Sequence, residues 1–341
     1  MADAALRAAA IVAGPAAGVA AADGRNAAVG HGVAAAQRTG EKITLTAHDG
    51  HMLAGYRYLP GGTPKASVVL GPAMAVPQSF YSSFAQHLAQ QGYAVWTFDY
   101  RGTGESLKGS MRGIQADLSD WLNLDYDAVV QAASQHAQPL FLIGHSLGGQ
   151  VVPLLPSRER VAALVNIAVG SGSLRHNVPR LRCGAYLMWY LFAPVLCPLF
   201  GYFPGTKIGV VGDLPTGAMR QWRKWCLTPD YLLTGEPGAR EAYASADYPV
   251  LSLFFTDDEL LLEDGSRLIH AAYTRKTVDQ RVIEPPQWGR KRIGHSGFFK
   301  TQSEATLWPL VTQWLDARLD APLGTPLDKQ REALLTTGNA A

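Results

Sequence analysis

The feature that most constrains the fold is an apolar run that ends in a glycine-rich turn. Residues 139–143, Pro-Leu-Phe-Leu-Ile, are followed directly by Gly144-His145-Ser146-Leu147-Gly148-Gly149. The run predicts a buried β-strand, and the glycines predict a sharp turn into a helix, because they lack side chains that would block it. Such a turn holds the Ser146 hydroxyl clear of the sheet and directs the Leu147 N–H at a developing oxyanion.

This pattern predicts a nucleophilic serine, but a serine that merely caps a helix gives the same five residues. A carboxylate and a histidine further along the chain separate the two interpretations. Residues 249–255, Pro-Val-Leu-Ser-Leu-Phe-Phe, predict a second buried strand, which ends at Thr256-Asp257-Asp258-Glu259. Ligand sites of parallel α/β sheets lie at the carboxyl ends of strands, so Asp257 and Asp258 are candidate acids.

Two histidines follow this aspartate pair. His270 lies in the helix-like stretch of residues 267–273, where an ordinary surface or half-buried imidazole is expected. His295 follows a short predicted strand over residues 280–283, in a loop rich in Pro and Gly. Because a general base must reach the serine from a neighbouring loop, we predict that His295 is the base.

The first half of the chain supplies a candidate oxyanion loop. Residues 66–70 predict a strand that runs into Gly71-Pro72-Ala73-Met74, and Ala73 is the predicted second N–H donor. A helix over residues 79–91 and a strand over residues 94–98 are predicted next. The strand leads into the turn-rich segment of residues 99–106, where a structural connection is expected.

Together these motifs resemble the α/β-hydrolase superfamily, and more narrowly a bacterial branch of serine hydrolases and esterases. The resemblance covers about residues 41–320 and implies a mostly parallel central sheet flanked by helices. It also implies a triad of Ser146, Asp258 and His295, since the acid of the superfamily usually falls nine residues after the position of Pro249. Gly71-Pro72 departs from the family pattern, which has His-Gly there.

A long connection separates the sixth predicted strand, residues 161–168, from the seventh. It predicts a helical lid over residues 171–248. Residues 185–203 carry no charge and approach the length of a membrane span. A single crossing would separate the serine from its acid and histidine, so we predict no transmembrane span. Pro194 and Pro198 instead predict two short cap helices, with an interfacial patch on lipid as the alternative.

Four large side chains are candidates for a substrate pocket. Met74 lies in the oxyanion loop, and Trp189, Trp222 and Trp225 lie in the predicted lid. They either line an apolar acyl pocket or form the core of the lid itself. The sequence leaves both interpretations open.

Composition predicts a soluble enzyme with one catalytic domain. The 341 residues are 47% hydrophobic and 17% charged, with a net charge of +2, so no nucleic-acid partner is expected. Residues 41–170 and 249–320 form the predicted core, residues 1–40 an Ala/Gly-rich, loosely ordered extension, and residues 321–341 a weakly ordered tail. Three cysteines without a metal-binding pattern favour a cytoplasmic location, with export as the alternative because the first forty residues resemble a poor signal peptide.

The sequence thus predicts a serine hydrolase that cleaves a carboxylic ester through an acyl-enzyme on Ser146. No cofactor and no metal are expected, and the predicted partner is a small ester with an apolar acyl part. An acyltransferase or thioesterase would use the same triad. A non-catalytic binding protein that keeps the hydrolase pocket is the alternative from another class. Oligomeric state is not predicted.

Overall fold

The computed structural model of the protein describes residues 40–319. The predicted extension, except Gly40, and the predicted tail lie outside the described residues. The described chain forms one eight-stranded β-sheet with helices on both faces. In chain order the strands are β1 (Glu41–Thr46), β2 (Met52–Tyr58), β3 (Ala66–Gly71), β4 (Tyr93–Phe98), β5 (Leu140–His145), β6 (Ala163–Ile167), β7 (Val250–Phe255) and β8 (Val278–Ile283).

The sheet is mostly parallel, as predicted. Its strands lie in the order β1-β2-β4-β3-β5-β6-β7-β8, and in this sheet β2 alone runs opposite to the other seven strands. The carboxyl ends of parallel strands meet at one edge of a sheet. The loops after β3, β5, β7 and β8, which carry the predicted site residues, therefore lie along the same edge.

Both faces of the parallel strands are buried, which explains their nearly continuous apolar sequences. In β3, for example, Val68 faces one core and Val69 faces the other. The core that contains Val68 includes residues from the helices Ser82–Gln90 and Trp308–Asp316. The core that contains Val69 is continuous with the segment between β6 and β7.

The helices vary widely in length. Short 3₁₀ turns connect many of them, including Gln78–Tyr81 before the first long helix and Gly297–Phe299 after β8. The helices of the core are Ser82–Gln90, the continuous series Leu118–Asp120, Trp121–Tyr126 (π-helical) and Asp127–Ser134, then Leu147–Gln150, Glu263–His270 and Trp308–Asp316.

The segment between β6 and β7, residues 168–249, is called the insertion below. It contains a short antiparallel pair, Tyr202–Phe203 with Leu214–Pro215, and otherwise helices and loops. Its α-helical and π-helical elements are Pro179–Leu187, Met188–Phe192, Ala193–Phe200, Gly205–Ile208, Thr216–Leu227, Leu232–Gly235 and Ala239–Ser245.

The prediction of two short helices interrupted by prolines is wrong, because one continuous helix spans Pro179–Phe200. Its middle, Met188–Phe192, is π-helical, and Pro194 lies two residues after its last residue. A π-helical turn changes the hydrogen-bond register, so a proline without an N–H is accommodated at its end. Gly201, with φ 76°, takes the left-handed conformation that ends this helix.

Candidate active site

Ser146 occupies the sharp turn between β5 and the helix that begins at Leu147. Its backbone has φ 49° and ψ −116°, a strained conformation for a residue other than glycine. The Ser146 N–H donates to the Ile167 carbonyl oxygen at 3.0 Å, which ties the turn to β6. Leu147 is the first residue of its helix, so its N–H has no acceptor within that helix. The sequence therefore folds into a strand–turn–helix with Ser146 at its apex.

The glycines of this turn are required by close backbone contacts. A Cβ on Gly148 would lie 2.1 Å from the carbonyl oxygen of Gly71, and a Cβ on Gly144 would lie 2.2 Å from the Cα of Gly149. No side chain fits at these distances. The loop after β3 consequently packs directly against the turn that carries Ser146.

His295 and Asp258 form a buried hydrogen-bonded pair. The Nδ1 atom of His295 lies 2.8 Å from Oδ2 of Asp258, whose Oδ1 accepts the N–H groups of Leu260 and Leu261 at 2.8 and 3.0 Å. Burial lowers the pKa of His295, but the charge and hydrogen bond of Asp258 and the charge of Glu259 raise it. The net pKa lies above the ordinary value of 6.5. Asp258 therefore orients the imidazole and stabilises its protonated form.

Asp257 and Glu259, on either side of Asp258, hold the backbone of the His295 loop. Asp257 accepts the N–H groups of Ile293 and Gly294 at 2.8 and 3.0 Å, and Glu259 accepts the N–H of His295 at 3.0 Å. Three consecutive acidic residues thus act on one loop. The structure brings Asp258, and not the alternative acid Asp257, to the His295 imidazole.

His145, the residue before Ser146, is buried and links the turn at Ser146 to the His295 loop. Its Nε2 donates to the carbonyl oxygen of His295 at 3.0 Å, and its Nδ1 accepts the Tyr81 hydroxyl at 2.9 Å. Burial, followed by the charge of His295, holds the pKa of His145 well below its usual range. A neutral imidazole fits this arrangement, since one nitrogen donates while the other accepts. Sequence reasoning missed Tyr81, because its contacts are long-range.

The Ala73 N–H, the predicted second oxyanion donor, already has an acceptor. It donates to the Tyr81 hydroxyl at 2.9 Å, and the Ala73 carbonyl accepts the Val76 N–H at 3.2 Å. Within residues 40–319, the Met74 N–H has no hydrogen-bond acceptor. Met74 is half-buried and packs against the same core as Leu147. The Met74 N–H, next to that of Ala73, is therefore available as a donor in this loop.

His270 is engaged elsewhere. It is buried in the helix Glu263–His270, where Nδ1 lies 2.8 Å from the Ser266 carbonyl oxygen and Nε2 lies 3.0 Å from the Asn166 amide nitrogen. Burial lowers the pKa of His270 to about 4. In the part of the chain that the structure describes, no group of three or more His, Cys, Asp or Glu side chains is placed to hold a metal ion.

The insertion contacts the loops on two sides of Ser146. Its Val178 N–H donates to the Leu260 carbonyl at 3.2 Å, two residues beyond Asp258. A Cβ on Gly212 would lie 2.8 Å from the Cβ of Ala75, in the loop after β3. The insertion is therefore anchored beside both the acid and the candidate oxyanion loop.

The three candidate tryptophans differ in their surroundings. Trp225 is fully buried and its indole N–H donates to Glu236 at 3.0 Å, which places it in the insertion's own core. The rings of Trp189 and Trp222 meet edge to face at 4.9 Å, and Trp222 is only half-buried. All three tryptophans belong to the apolar cluster that also contains Leu147 and Met74.

Comparison with known sequences gives a family match over the part of the chain that includes Ser146. Residues 62–182 match the family model described as serine aminopeptidase, S33. The chain is 26% identical over 131 residues to the monoglyceride lipase of Saccharomyces cerevisiae, and 36% identical over 88 residues to a protein of Schizosaccharomyces pombe. These alignments span only 40% and 23% of the two relatives.

Solved structures match most of the chain. A soluble variant of the Saccharomyces cerevisiae monoglyceride lipase has a TM-score of 0.63 at 17% identity, covering 85% of this chain and 99% of that one. An esterase from Pyrococcus furiosus has a TM-score of 0.55 at 16% identity, covering 86% and 96%. The chain belongs to the α/β-hydrolase superfamily. In this α/β-hydrolase, the family match ends before Asp258 and His295, so their assignment depends on the geometry above.

Proposed function

We propose that this α/β-hydrolase is a serine hydrolase that cleaves a carboxylic ester through an acyl-enzyme on Ser146. The observation that carries the proposal is the buried 2.8 Å contact between His295 and Asp258. The loop that carries His295 is hydrogen-bonded to His145, and the next residue, Ser146, has a strained backbone with φ 49° at the apex of a strand–turn–helix. Nucleophile, acid and base thereby follow the chain order and the strand-end positions that are typical of a triad in the α/β-hydrolase fold.

In the proposed reaction, His295 takes the proton of the Ser146 hydroxyl as the oxygen attacks the ester carbonyl. The resulting oxyanion accepts hydrogen bonds from the N–H groups of Leu147 and Met74, the latter replacing Ala73. His295 then gives its proton to the leaving alcohol. Water, deprotonated by His295, attacks the acyl-enzyme and releases the carboxylic acid. Asp258 orients the imidazole and stabilises its charged form throughout.

We also propose that the acyl part of the substrate is apolar and that the insertion acts as a lid. Leu147 and Met74 belong to the same apolar cluster as Trp189 and Trp222 of the insertion. An acyl chain bound at Ser146 would extend along this surface, where each buried methylene adds to binding. An acyltransferase or thioesterase would share this site, and the acyl acceptor and leaving group are left to experiment.

The cytoplasmic location stays a proposal as well. Cys183, Cys197 and Cys226 are all free. Unpaired cysteines are typical of a reducing compartment, where disulfides rarely persist. Localisation of the tagged full-length chain in its native cell would test it.

The test combines covalent labelling with turnover. The purified chain should hydrolyse p-nitrophenyl esters and be labelled by a fluorophosphonate probe, and Ser146→Ala should lose labelling and at least about 10³-fold in kcat. Ser83→Ala, at an exposed serine of a core helix, is the matched control and should behave as the wild type. Labelling that survives in Ser146→Ala, or hydrolysis of aminoacyl anilides in preference to esters, would refute the proposal.

A further inference from the structure

The helix Pro179–Phe200 exposes an unusual amount of apolar surface. Eight large apolar side chains are exposed within residues 40–319, and six of them lie on this one helix. The other two, Met52 and Val282, are isolated on separate strands. The six are Tyr186 (53% exposed), Leu187 (37%), Tyr190 (59%), Leu191 (49%), Val195 (52%) and Leu199 (67%).

These side chains form a single stripe, since they recur at helical spacing along four turns. Pro194 and Pro198 are exposed in the same stripe, and Tyr186 stacks on Tyr190 at 6.1 Å. The opposite face is apolar as well: Met188, Trp189 and Cys197 are buried against the insertion. A helix that is apolar all round is normally buried all round. Here the outer face lacks a protein partner within the described residues.

The charges around this stripe are positive. From residue 177 to residue 212 the sequence contains Arg180, Arg182 and Lys207 and no acidic residue, and the next acid, Asp213, accepts the Thr206 N–H at 3.0 Å. Two further cations lie against the helix: Arg112 donates to the Phe200 carbonyl, and the Arg223 guanidinium lies 5.5 Å from the centre of the Tyr190 ring. Within residues 40–319 none of these five side chains forms an ion pair. Asp230, an acidic residue of the insertion, forms its ion pairs with two other arginines, Arg175 and Arg240.

We propose that the exposed face of Pro179–Phe200 docks on the surface of an anionic lipid bilayer. An apolar stripe with unpaired Arg and Lys beside it is what an interfacial helix requires, because the stripe enters the acyl boundary while the cations meet lipid phosphates. A second copy of the chain fits less well. Two-fold pairing through this face would place the same five cations opposite one another.

The helix lies on the membrane and does not cross it. At 22 residues it is about 33 Å long, enough for a span by length alone. Its inner face is packed on the insertion, which is covalently continuous with β6 and β7 of one sheet. If the helix crossed a bilayer, its inner face would lose this packing, and the insertion could not stay joined to both strands. Docking along the membrane surface preserves the packing and the chain continuity and covers only the exposed face of the helix. This docking does not depend on the role of Ser146.

The test is co-sedimentation of the full chain with vesicles of phosphatidylcholine alone or mixed with phosphatidylglycerol. The wild type should bind the mixed vesicles, and binding should weaken as salt is raised. The double variant Leu191→Glu/Leu199→Glu should bind at least about ten-fold more weakly, because two charges enter the apolar stripe. Arg180→Gln/Arg182→Gln should weaken binding to the anionic vesicles by a similar factor and leave the apolar stripe intact.

Matched controls separate docking from folding and from catalysis. Met52→Glu/Val282→Glu places the same charges on exposed apolar residues elsewhere and should bind as the wild type. Ser146→Ala should also bind fully, and Leu191→Glu/Leu199→Glu should keep turnover of water-soluble p-nitrophenyl acetate. Absence of wild-type binding, or equal binding by Leu191→Glu/Leu199→Glu, would overturn the proposal. A dimer in solution that this double variant dissociates would assign the face to a second copy instead.

Discussion

The carbonyl oxygen of His295 accepts a hydrogen bond, at 3.0 Å, from Nε2 of His145, the residue that immediately precedes Ser146. The other ring nitrogen of His145 is held by the Tyr81 hydroxyl, which also accepts the Ala73 N–H. One chain of hydrogen bonds therefore connects the loop after β3, the serine turn and the histidine loop. The positions of the proposed nucleophile, base and oxyanion loop are consequently coupled.

Replacing His145 by Ala should impair catalysis in the folded enzyme. The His295 carbonyl would lose its donor in a buried position, which costs about 1–3 kcal/mol and loosens the histidine loop. We expect kcat to fall about ten-fold or more with little change in KM. His270→Ala is the matched control, since it removes another buried, neutral histidine from outside the site. If both variants kept wild-type kcat, the coupling would have no role in catalysis.

Asp258→Asn should cost far more activity than Asp257→Asn. Asp258 contacts the His295 imidazole, so its amide would favour the wrong tautomer, and we expect a loss of up to about 10⁴-fold in kcat. Asp257 holds only backbone N–H groups of the loop, so Asp257→Asn should mainly lower Tm. Steady-state kinetics and thermal unfolding of both variants measure this. The opposite order of kcat values, with both proteins folded, would move the acid to Asp257.

The pH profile should report the raised pKa of His295. The base works only when neutral, so kcat/KM should increase with pH through a limb centred above 6.5. Glu259 is one of the charges that raise this pKa, and Glu259→Gln should therefore move the limb to lower pH. Glu304→Gln, at an exposed acid of another loop, should leave the limb in place. A limb that moves to higher pH in Glu259→Gln would contradict the assignment.

Ester preference should follow acyl chain length. If the surface of Trp189 and Trp222 receives the acyl chain, each methylene should add up to about 0.8 kcal/mol to transition-state binding until the surface is filled. We expect kcat/KM to rise from acetate esters to a medium-chain optimum and then fall, and Trp222→Ala to move the optimum to longer chains. A flat profile from two to ten carbons, or a preference for acetate alone, would show that this surface is structural.

Much of the fold could be predicted from local sequence. The apolar runs that predicted strands at residues 66–70, 94–98 and 249–255 coincide closely with β3, β4 and β7. Strands buried on both faces are recognisable because nearly every residue must be apolar. The order of the motifs likewise pointed to Ser146, Asp258 and His295, since chain order and strand ends decide which loops meet at one edge of a parallel sheet.

Other properties depend on contacts between distant residues, which periodicity does not encode. The Ala73 N–H is occupied because Tyr81, eight residues on, packs beneath the serine turn, and this leaves the Met74 N–H available. The helix Pro179–Phe200 continues through two prolines, and its inner face is packed on the insertion while its outer face is exposed. The sequence by itself determined the strands, the turn at Ser146 and the order of the site residues, through local backbone preference and burial. Only the tertiary structure decided which N–H groups stay free and which apolar face is exposed, because both depend on what the rest of the chain covers.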